Sequence, residues 1–326
     1  MKAILCRAFG PPENLAFGEF ELQTVGDFDI RISVRAAGVN FLDLLIIEGK
    51  YQFKPDMPFA PGAEVAGDVV EIGSRVSRVG KGDRVIGISR WNGFAEEVVI
   101  PESRCLRIPS SMSYEIGAGF SMTYGTSYHA LVQRGLLRAG ETLLVHGASG
   151  GVGTAAIDIG RCLGAHLIAT GGDDEKLQVI RERFGVVHAI NYHTNQTWKD
   201  DVKSLTDGCG ADVIYDPVGG NVFEQSLRCI NWNGRLLVIG FASGTIPKVP
   251  ANLVLLKGCQ IVGVFWGAFL TRTPNDNLSN FDQLFAWFEA GLLQPLVSRT
   301  LPLERAADAL RMLQRREVIG KIVLIT

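Results

Sequence analysis

The chain has 326 residues, 47% hydrophobic and 20% charged, with a formal net charge of −2. This composition can fill a large core, the length suggests two domains, and the near-neutral balance argues against nucleic acid or an anionic membrane surface as a partner. The longest apolar run, residues 261–270, is too short to span a bilayer. Met1-Lys-Ala-Ile-Leu-Cys6 leads directly into structure-like sequence without a signal-peptide pattern. The six cysteines are scattered, with no C-x-x-C pair, and the five histidines do not cluster with them. Neither a disulfide framework nor metal-ligand spacing is legible, and the expected location is cytoplasmic.

Residues 1 to about 110 read as β-rich. Ile30, Ile32 and Val34 alternate with charged or small residues, the pattern of a half-buried strand. Residues 65–72, 84–88 and 94–100 are further strand candidates, punctuated by Pro61-Gly62, Gly67, Gly73, Gly80, Gly82 and Gly93. Short strands between turn signals suggest a small barrel-like domain. Phe41 to Ile47 reads as a short helix, and Ser113 to Arg134 as helical pieces interrupted by glycines.

From Thr142 strands and helices alternate. Strands are expected at 143–146, 166–170, 188–190, 212–215, 235–239 and 260–264, with helices at 175–184, 198–206 and 222–229. This is the pattern of a doubly wound parallel sheet. Its centre is Leu143 to Gly153, a short apolar strand running into a glycine-rich turn, followed by a helix from Thr154 to Leu163. Such a turn lets the backbone approach a pyrophosphate, and the helix N-terminus presents N–H groups to it. The G-x-G-x-x-G fingerprint is varied, with Ala148 where the first glycine is expected. The second strand ends at Gly171-Gly172, where an NAD-specific fold would place an acid on the ribose, and Lys176 follows within a turn. That favours NADPH over NADH, although Asp173 and Asp174 stand close by. Helices at 280–290 and 304–315 and a strand Lys321 to Ile325 close the chain.

Four stretches together resemble the medium-chain dehydrogenase/reductase superfamily along the whole length. They are Gly38-Val-Asn-Phe-Leu-Asp43; Pro61-Gly-Ala-Glu-Val-Ala-Gly67 with Gly82-Asp-Arg-Val85; Ala148-Ser-Gly-Gly-Val-Gly153; and Ile190-Asn-Tyr192 with Tyr215-Asp-Pro-Val-Gly-Gly220. Within the superfamily the chain is similar to the zinc-free NADPH:quinone oxidoreductase (zeta-crystallin-like) branch. The resemblance implies a GroES-like β-rich catalytic domain, residues 1–122 and 266–326, and a Rossmann NADPH-binding domain, residues 123–265. Zinc-dependent relatives carry a cysteine where this chain has Asn40 and a histidine where it has Ala63, and they insert a four-cysteine lobe that is missing here. No metal is therefore expected. The remaining chemistry is hydride addition to an acceptor that is already electrophilic.

The same resemblance assigns site residues. Thr126 is expected at the nicotinamide or its phosphates, and Ser149, Gly150, Gly151, Val152 and Gly153 at the pyrophosphate. Gly172, Lys176 and Tyr192 are expected around the adenosine 2′-phosphate, and Phe241, Ser243 and Gly244 along the nicotinamide ribose. Phe265 and Trp266 are expected as walls, and Lys321 beside the cofactor. For the acceptor the candidates are Asn40, as a hydrogen-bond donor to a carbonyl; Tyr51, as a stacking ring or proton donor; and Asp43, which as an acid in a helix's first turn also reads as a cap. Leu45 and Ile47 stand where some bacterial quinone reductases carry Tyr and Arg, which makes a less polar pocket.

The leading expectation is an NADPH-dependent quinone reductase. The alternatives are an NADPH-dependent enoyl-thioester or enone (2-alkenal) reductase and a non-catalytic NADPH-binding protein. A homodimer is expected through the apolar edge, residues 251–266, of the Rossmann sheet.

Overall fold

The computed structural model describes residues 1–326. The chain forms two compact units: Met1–Met122 with Pro274–Phe285 and Pro295–Thr326, and Thr123–Thr273 with Ala286–Gln294. The return was expected at 265/266, but residues 266–273 stay with the second unit. Trp266 is buried there, and Phe269 stacks on His129 with ring centroids 4.1 Å apart.

The first unit is built on a seven-stranded sheet. Its order is Val297–Pro302, Lys321–Ile325, Asp29–Val39, Glu64–Ile72, Arg84–Ile88 and Cys105–Arg107, and Glu97–Pro101 pairs on Asp29–Val39. The central strand, Asp29–Val39, alternates burial up to Val34, as its sequence pattern requires, and is then buried at every position from Ala36 to Val39. That second half has the main core on one face and a small cluster of Ala36, Ala66, Ala118 and Val323 on the other. Register fixes what meets at its end. Ile322 lies opposite Val39, and Gly38 lies opposite Glu64. Lys321, Asn40 and Glu64 thus fall side by side, and the helix Phe41–Ile47 starts at that point.

The second unit holds a six-stranded sheet whose paired strands all run parallel. The order is His188–Asn191, His166–Gly171, Thr142–Val145, Ala211–Asp216, Ile230–Val238 and Gln260–Gly263. Strand order reverses between Thr142–Val145 and Ala211–Asp216, so their carboxyl ends open a crevice, the usual ligand position in such sheets. The helix of the fingerprint runs Gly151–Cys162 and takes in the last glycines, because Gly150 with its extended backbone is already the N-cap. In the apolar edge segment only Gln260–Gly263 is strand, and Ala251–Lys257 is a helix closed by left-handed Gly258. No helix is long and apolar enough to cross a membrane.

Close approach makes Gly38 irreplaceable. A Cβ there would lie 1.9 Å from the Ala118 carbonyl and 2.6 Å from Glu64 Oε1, whereas one on Gly80 would meet nothing within 4 Å. Gly38→Ala is expected to lower Tm by several degrees, in line with overpacking costs of about 1–3 kcal/mol, and Gly80→Ala to leave it nearly unchanged. Thermal unfolding of the two variants checks this.

Candidate cofactor and acceptor sites

The glycine turn of the second unit sits at the strand-order reversal. Gly147 adopts φ 56, a left-handed value that suits glycine. A Cβ on Gly153 would lie 2.2 Å from the Gly147 carbonyl, so helix and turn touch backbone to backbone. No side chain caps the helix Gly151–Cys162. Its first turn has N–H groups without intrahelical acceptors, the arrangement that receives a phosphate. Ser149, Gly150, Gly151, Val152 and Gly153 all lie on this turn. Thr126 lies on the helix Ser121–Tyr128, and its neighbour Ser127 fastens that helix to the turn. The Ser127 hydroxyl donates to the Val152 carbonyl at 3.1 Å and lies 2.9 Å from the Tyr215 hydroxyl.

At the carboxyl ends of the next two strands, Gly171 pairs with Asn191, and the Tyr192 N–H donates to the Gly171 carbonyl at 3.0 Å. Gly172 and Tyr192 therefore come together, and Lys176 lies in the first turn of the helix Asp174–Phe184 that follows. The Asp173 carboxylate accepts the Lys176 N–H at 3.0 Å and caps the helix Asp174–Phe184, which commits the nearest acid to the backbone. A Cβ on Gly172 would lie 2.4 Å from the exposed His193 ring, which would have to swing aside.

Two loops meet on the other side of the reversal. The buried Asp216 accepts the N–H groups of Val218 and Gly219 at 2.7 and 3.0 Å through Oδ1. Burial pushes its carboxyl up to about 6, against those two hydrogen bonds. The turn so formed accepts the Ala242 and Ser243 N–H groups, each at 2.9 Å, on the Pro217 and Val218 carbonyls. That pins Phe241, Ser243 and Gly244 beside the crevice, and Val218 stands where a Cβ on Gly147 would lie 3.2 Å from it. Phe265 and Trp266 separate: Phe265 is 47% exposed and Trp266 only 4%. Trp266 is corrected to a buried residue, with almost no surface left to wall a cleft, whereas Phe265 is exposed.

In the first unit the buried Glu64 organises its surroundings. Its Oε1 accepts from the Lys321 ammonium at 2.8 Å and the Asn40 amide at 2.9 Å. Its Oε2 accepts from the Ser121 hydroxyl at 2.8 Å and the Met122 N–H at 2.9 Å. Lys321 also donates to Asn40 Oδ1 at 2.7 Å and to the Val39 carbonyl at 2.8 Å, which commits all of its N–H groups. Lys321 is thus corrected from a cofactor contact to a buried structural cation. The Asn40 amide gives its remaining N–H to the Gly38 carbonyl at 3.2 Å, so no N–H is left for an acceptor carbonyl. Its expected donor role is corrected accordingly. Asp43 is fully buried, and its two oxygens accept the Asn40 and Gly62 N–H groups at 2.8 and 3.1 Å. It orients backbone and offers no exposed surface, which corrects its catalytic assignment.

Tyr51 follows the helix Phe41–Ile47, its N–H bonded to the Leu45 carbonyl at 3.1 Å, and its ring meets Phe53 edge-on at 5.9 Å. Burial holds its hydroxyl above the ordinary tyrosine value, so it is protonated at neutral pH. Ile47 is wholly buried in the core and lines nothing.

Sequence reasoning missed Glu64, Ser127 and His146. The signal for Glu64 was an acid set directly between the apolar Ala63 and Val65 at the start of a strand, a place where burial demands a partner. His146, fully buried, hydrogen-bonds Thr170 at 2.6 Å and Ser226 at 2.8 Å, tying three elements behind the glycine turn. Burial drives its pKa down to about 3.

The comparisons agree with this geometry. The family profile "Alcohol dehydrogenase GroES-like domain" matches residues 26–110, and "Zinc-binding dehydrogenase" matches residues 151–287. A quinone oxidoreductase-like protein 2 homolog from Nematostella vectensis is 40% identical, covering 100% of this chain and 89% of its own. Human quinone oxidoreductase is 30% identical, over 100% of this chain and 98% of its own. The chain belongs to the quinone oxidoreductase family of the medium-chain dehydrogenase/reductases. Escherichia coli quinone oxidoreductase, solved in complex with NADPH, superposes with a TM-score of 0.92 at 28% identity over 100% of both chains.

The family's zinc-dependent members raise the question of a metal. The residues here do not fit one. Nowhere do three or more His, Cys, Asp or Glu side chains converge to hold an ion. At Asn40 and Glu64 the Lys321 ammonium already occupies the acceptors, and a second cation there would be repelled.

Removing Lys321 leaves Glu64 buried and unpaired. Lys321→Met is expected to cost about 3–5 kcal/mol, and adding Glu64→Gln should recover most of it. Urea denaturation of single and double variants measures both. Burial also pushes the Asp43 carboxyl from 3.8 to about 7, despite the hydrogen bonds from Asn40 and Gly62. The folded state thus prefers the protonated acid, and stability falls as pH rises from about 4 to about 7. Asp43→Asn should lose that component, so the gap in Tm between variant and wild type is expected to narrow over this window.

Proposed function

We propose that the chain is a zinc-independent reductase that takes hydride from NADPH and gives it to a quinone. The observation that carries this reading is the Lys321 ammonium held on Asn40 and Glu64. With a fixed cation bonded there, these side chains cannot bind a Lewis-acid metal to polarise an alcohol or simple carbonyl. The acceptor must bring its own electrophilicity, as a quinone or activated alkene does. The uncapped glycine helix suits the pyrophosphate, and Lys176, with Asp173 turned into the backbone, suits a 2′-phosphate. Bound NADPH supplies the hydride. The protein orients the cofactor and holds the acceptor, and Tyr51 can give a proton.

The protonated Tyr51 hydroxyl also favours the second reading, reduction of an enone or enoyl thioester, in which a carbon or enolate must be protonated. EDTA-treated protein is to be assayed with NADPH and NADH against a quinone and an enoyl-CoA side by side. Quinone turnover with NADPH preference is the expected result. Preferential enoyl-CoA turnover, with Tyr51→Phe losing most of the rate, would move the assignment to the second reading. NADPH binding without turnover of either would remove the catalytic reading.

The expected homodimer remains part of the proposal. Gln260–Gly263 is the edge of its sheet, paired on one side only. Beside it in sequence or across the pair, Leu255, Leu256 and Trp232 are 79%, 70% and 66% exposed. A second copy pairing on this edge would cover them. Light scattering should show a dimer at micromolar concentration, and Ile261→Lys should shift it toward monomer.

A further inference from the structure

In the first unit Arg90 and Arg104 lie near one another without a carboxylate between them. Arg31, Arg35 and Arg107 are each paired with a carboxylate, and Arg84 donates to the Ser110 and Met112 carbonyls. Arg90 and Arg104 have no carboxylate partner and no hydrogen-bond acceptor. Sheet register brings them together. Cys105 lies opposite Gly87, so Arg104 comes one step further, beside Ile88, two residues before Arg90. Arg104 is half-buried, and burial together with the Arg90 charge lowers its pKa. Two cations close together, one of them partly desolvated, are unfavourable until an anion joins them.

The place is equally specific. The segment carrying Arg90 is laced to the loop that leads into Glu64. Ser89 donates its N–H to the Ala63 carbonyl at 2.9 Å and its hydroxyl to the Gly62 carbonyl at 3.0 Å, and the Asn92 N–H reaches the Ala60 carbonyl at 2.6 Å. The Arg90 guanidinium lies 5.6 Å from the centre of the Phe53 ring, and Phe53 meets Tyr51. Aromatic faces and a cationic pair thus stand together in the same unit as the candidate acceptor residues.

We propose that Arg90 and Arg104 form an anion subsite beside Tyr51 and Phe53, and that the acceptor is a conjugated carbonyl compound bearing a carboxylate or phosphate. The proposal deepens the reductase reading and rests on it. Guanidinium forks bind either anion through paired hydrogen bonds, so the two sources are separated by the probes.

Two matched pairs of acceptors are compared with NADPH: benzoylacrylate against its methyl ester, and crotonyl-CoA against the neutral N-acetylcysteamine thioester of crotonate. The expected result is an anionic-to-neutral ratio of kcat/KM that falls about tenfold or more in Arg90→Gln/Arg104→Gln, mainly through KM. Rising salt should erode the wild-type preference, and Arg90→Lys/Arg104→Lys should restore part of it. A drop confined to the benzoylacrylate pair assigns a carboxylate, and one confined to the crotonyl pair a phosphate. An unchanged ratio in a double variant with wild-type Tm would overturn the subsite. If no acceptor is turned over, the reductase reading fails by itself, and calorimetric titration with benzoylacrylate then decides the subsite. Salt-sensitive binding lost in the double variant supports it, and binding indifferent to the arginines rejects it.

Discussion

A carboxylate sealed from water must be neutralised and must have its lone pairs filled, and the first unit is arranged around meeting that demand for Glu64. One oxygen takes the Lys321 cation and the Asn40 amide, and the other takes Ser121 and Met122. The donors come from the strand Lys321–Ile325, from the start of the helix Phe41–Ile47, and from Ser121 and Met122, the last residues of the first unit's opening stretch. A shift of any of them leaves a buried charge short of a partner. The same demand explains why the strand beside Glu64 narrows to Gly38, where the carboxylate and a backbone carbonyl leave no room for a side chain.

The second unit solves its problem with neutral groups. His146, held neutral by burial, bonds Thr170 and Ser226, and Tyr215 meets Ser127, which in turn holds the Val152 carbonyl. These contacts brace the glycine turn from behind without placing a fixed charge next to a phosphate. Where a charge does occur, on Asp216, it is spent on two backbone N–H groups that shape the neighbouring turn. Positive character at the crevice comes from helix N–H groups.

Local pattern carried much of this into the sequence. The helix Phe41–Ile47 and the strand Lys321–Ile325 fall where periodicity put them, and the parallel strands lie mostly within a residue or two of expectation. Glycines marked the turn because tight φ values and close backbone contact leave no alternative residue. The pairings of Lys321 and Asn40 were not legible, since they depend on strands brought together across more than 250 residues, and local periodicity is silent on that. Trp266 was misplaced for the same reason: an aromatic at a strand end reads alike whether it faces out or in. Asp43 showed its capping spacing, but not that both oxygens would be used.

The separation between Glu64 and Lys321 also bears on the order in which the protein is made. Their hydrogen bond spans 257 positions, and the whole of Thr123–Thr273 lies between them. Every strand of the parallel sheet leaves the ribosome before the cation for Glu64 exists. The second unit can therefore close during synthesis, while the first waits with an unanswered carboxylate and an open sheet edge at Asp29–Val39. The Glu64 cluster is thus completed only after the parallel sheet has been made, and until then the β-rich segment carries an open sheet edge, a hazard for pairing with other chains.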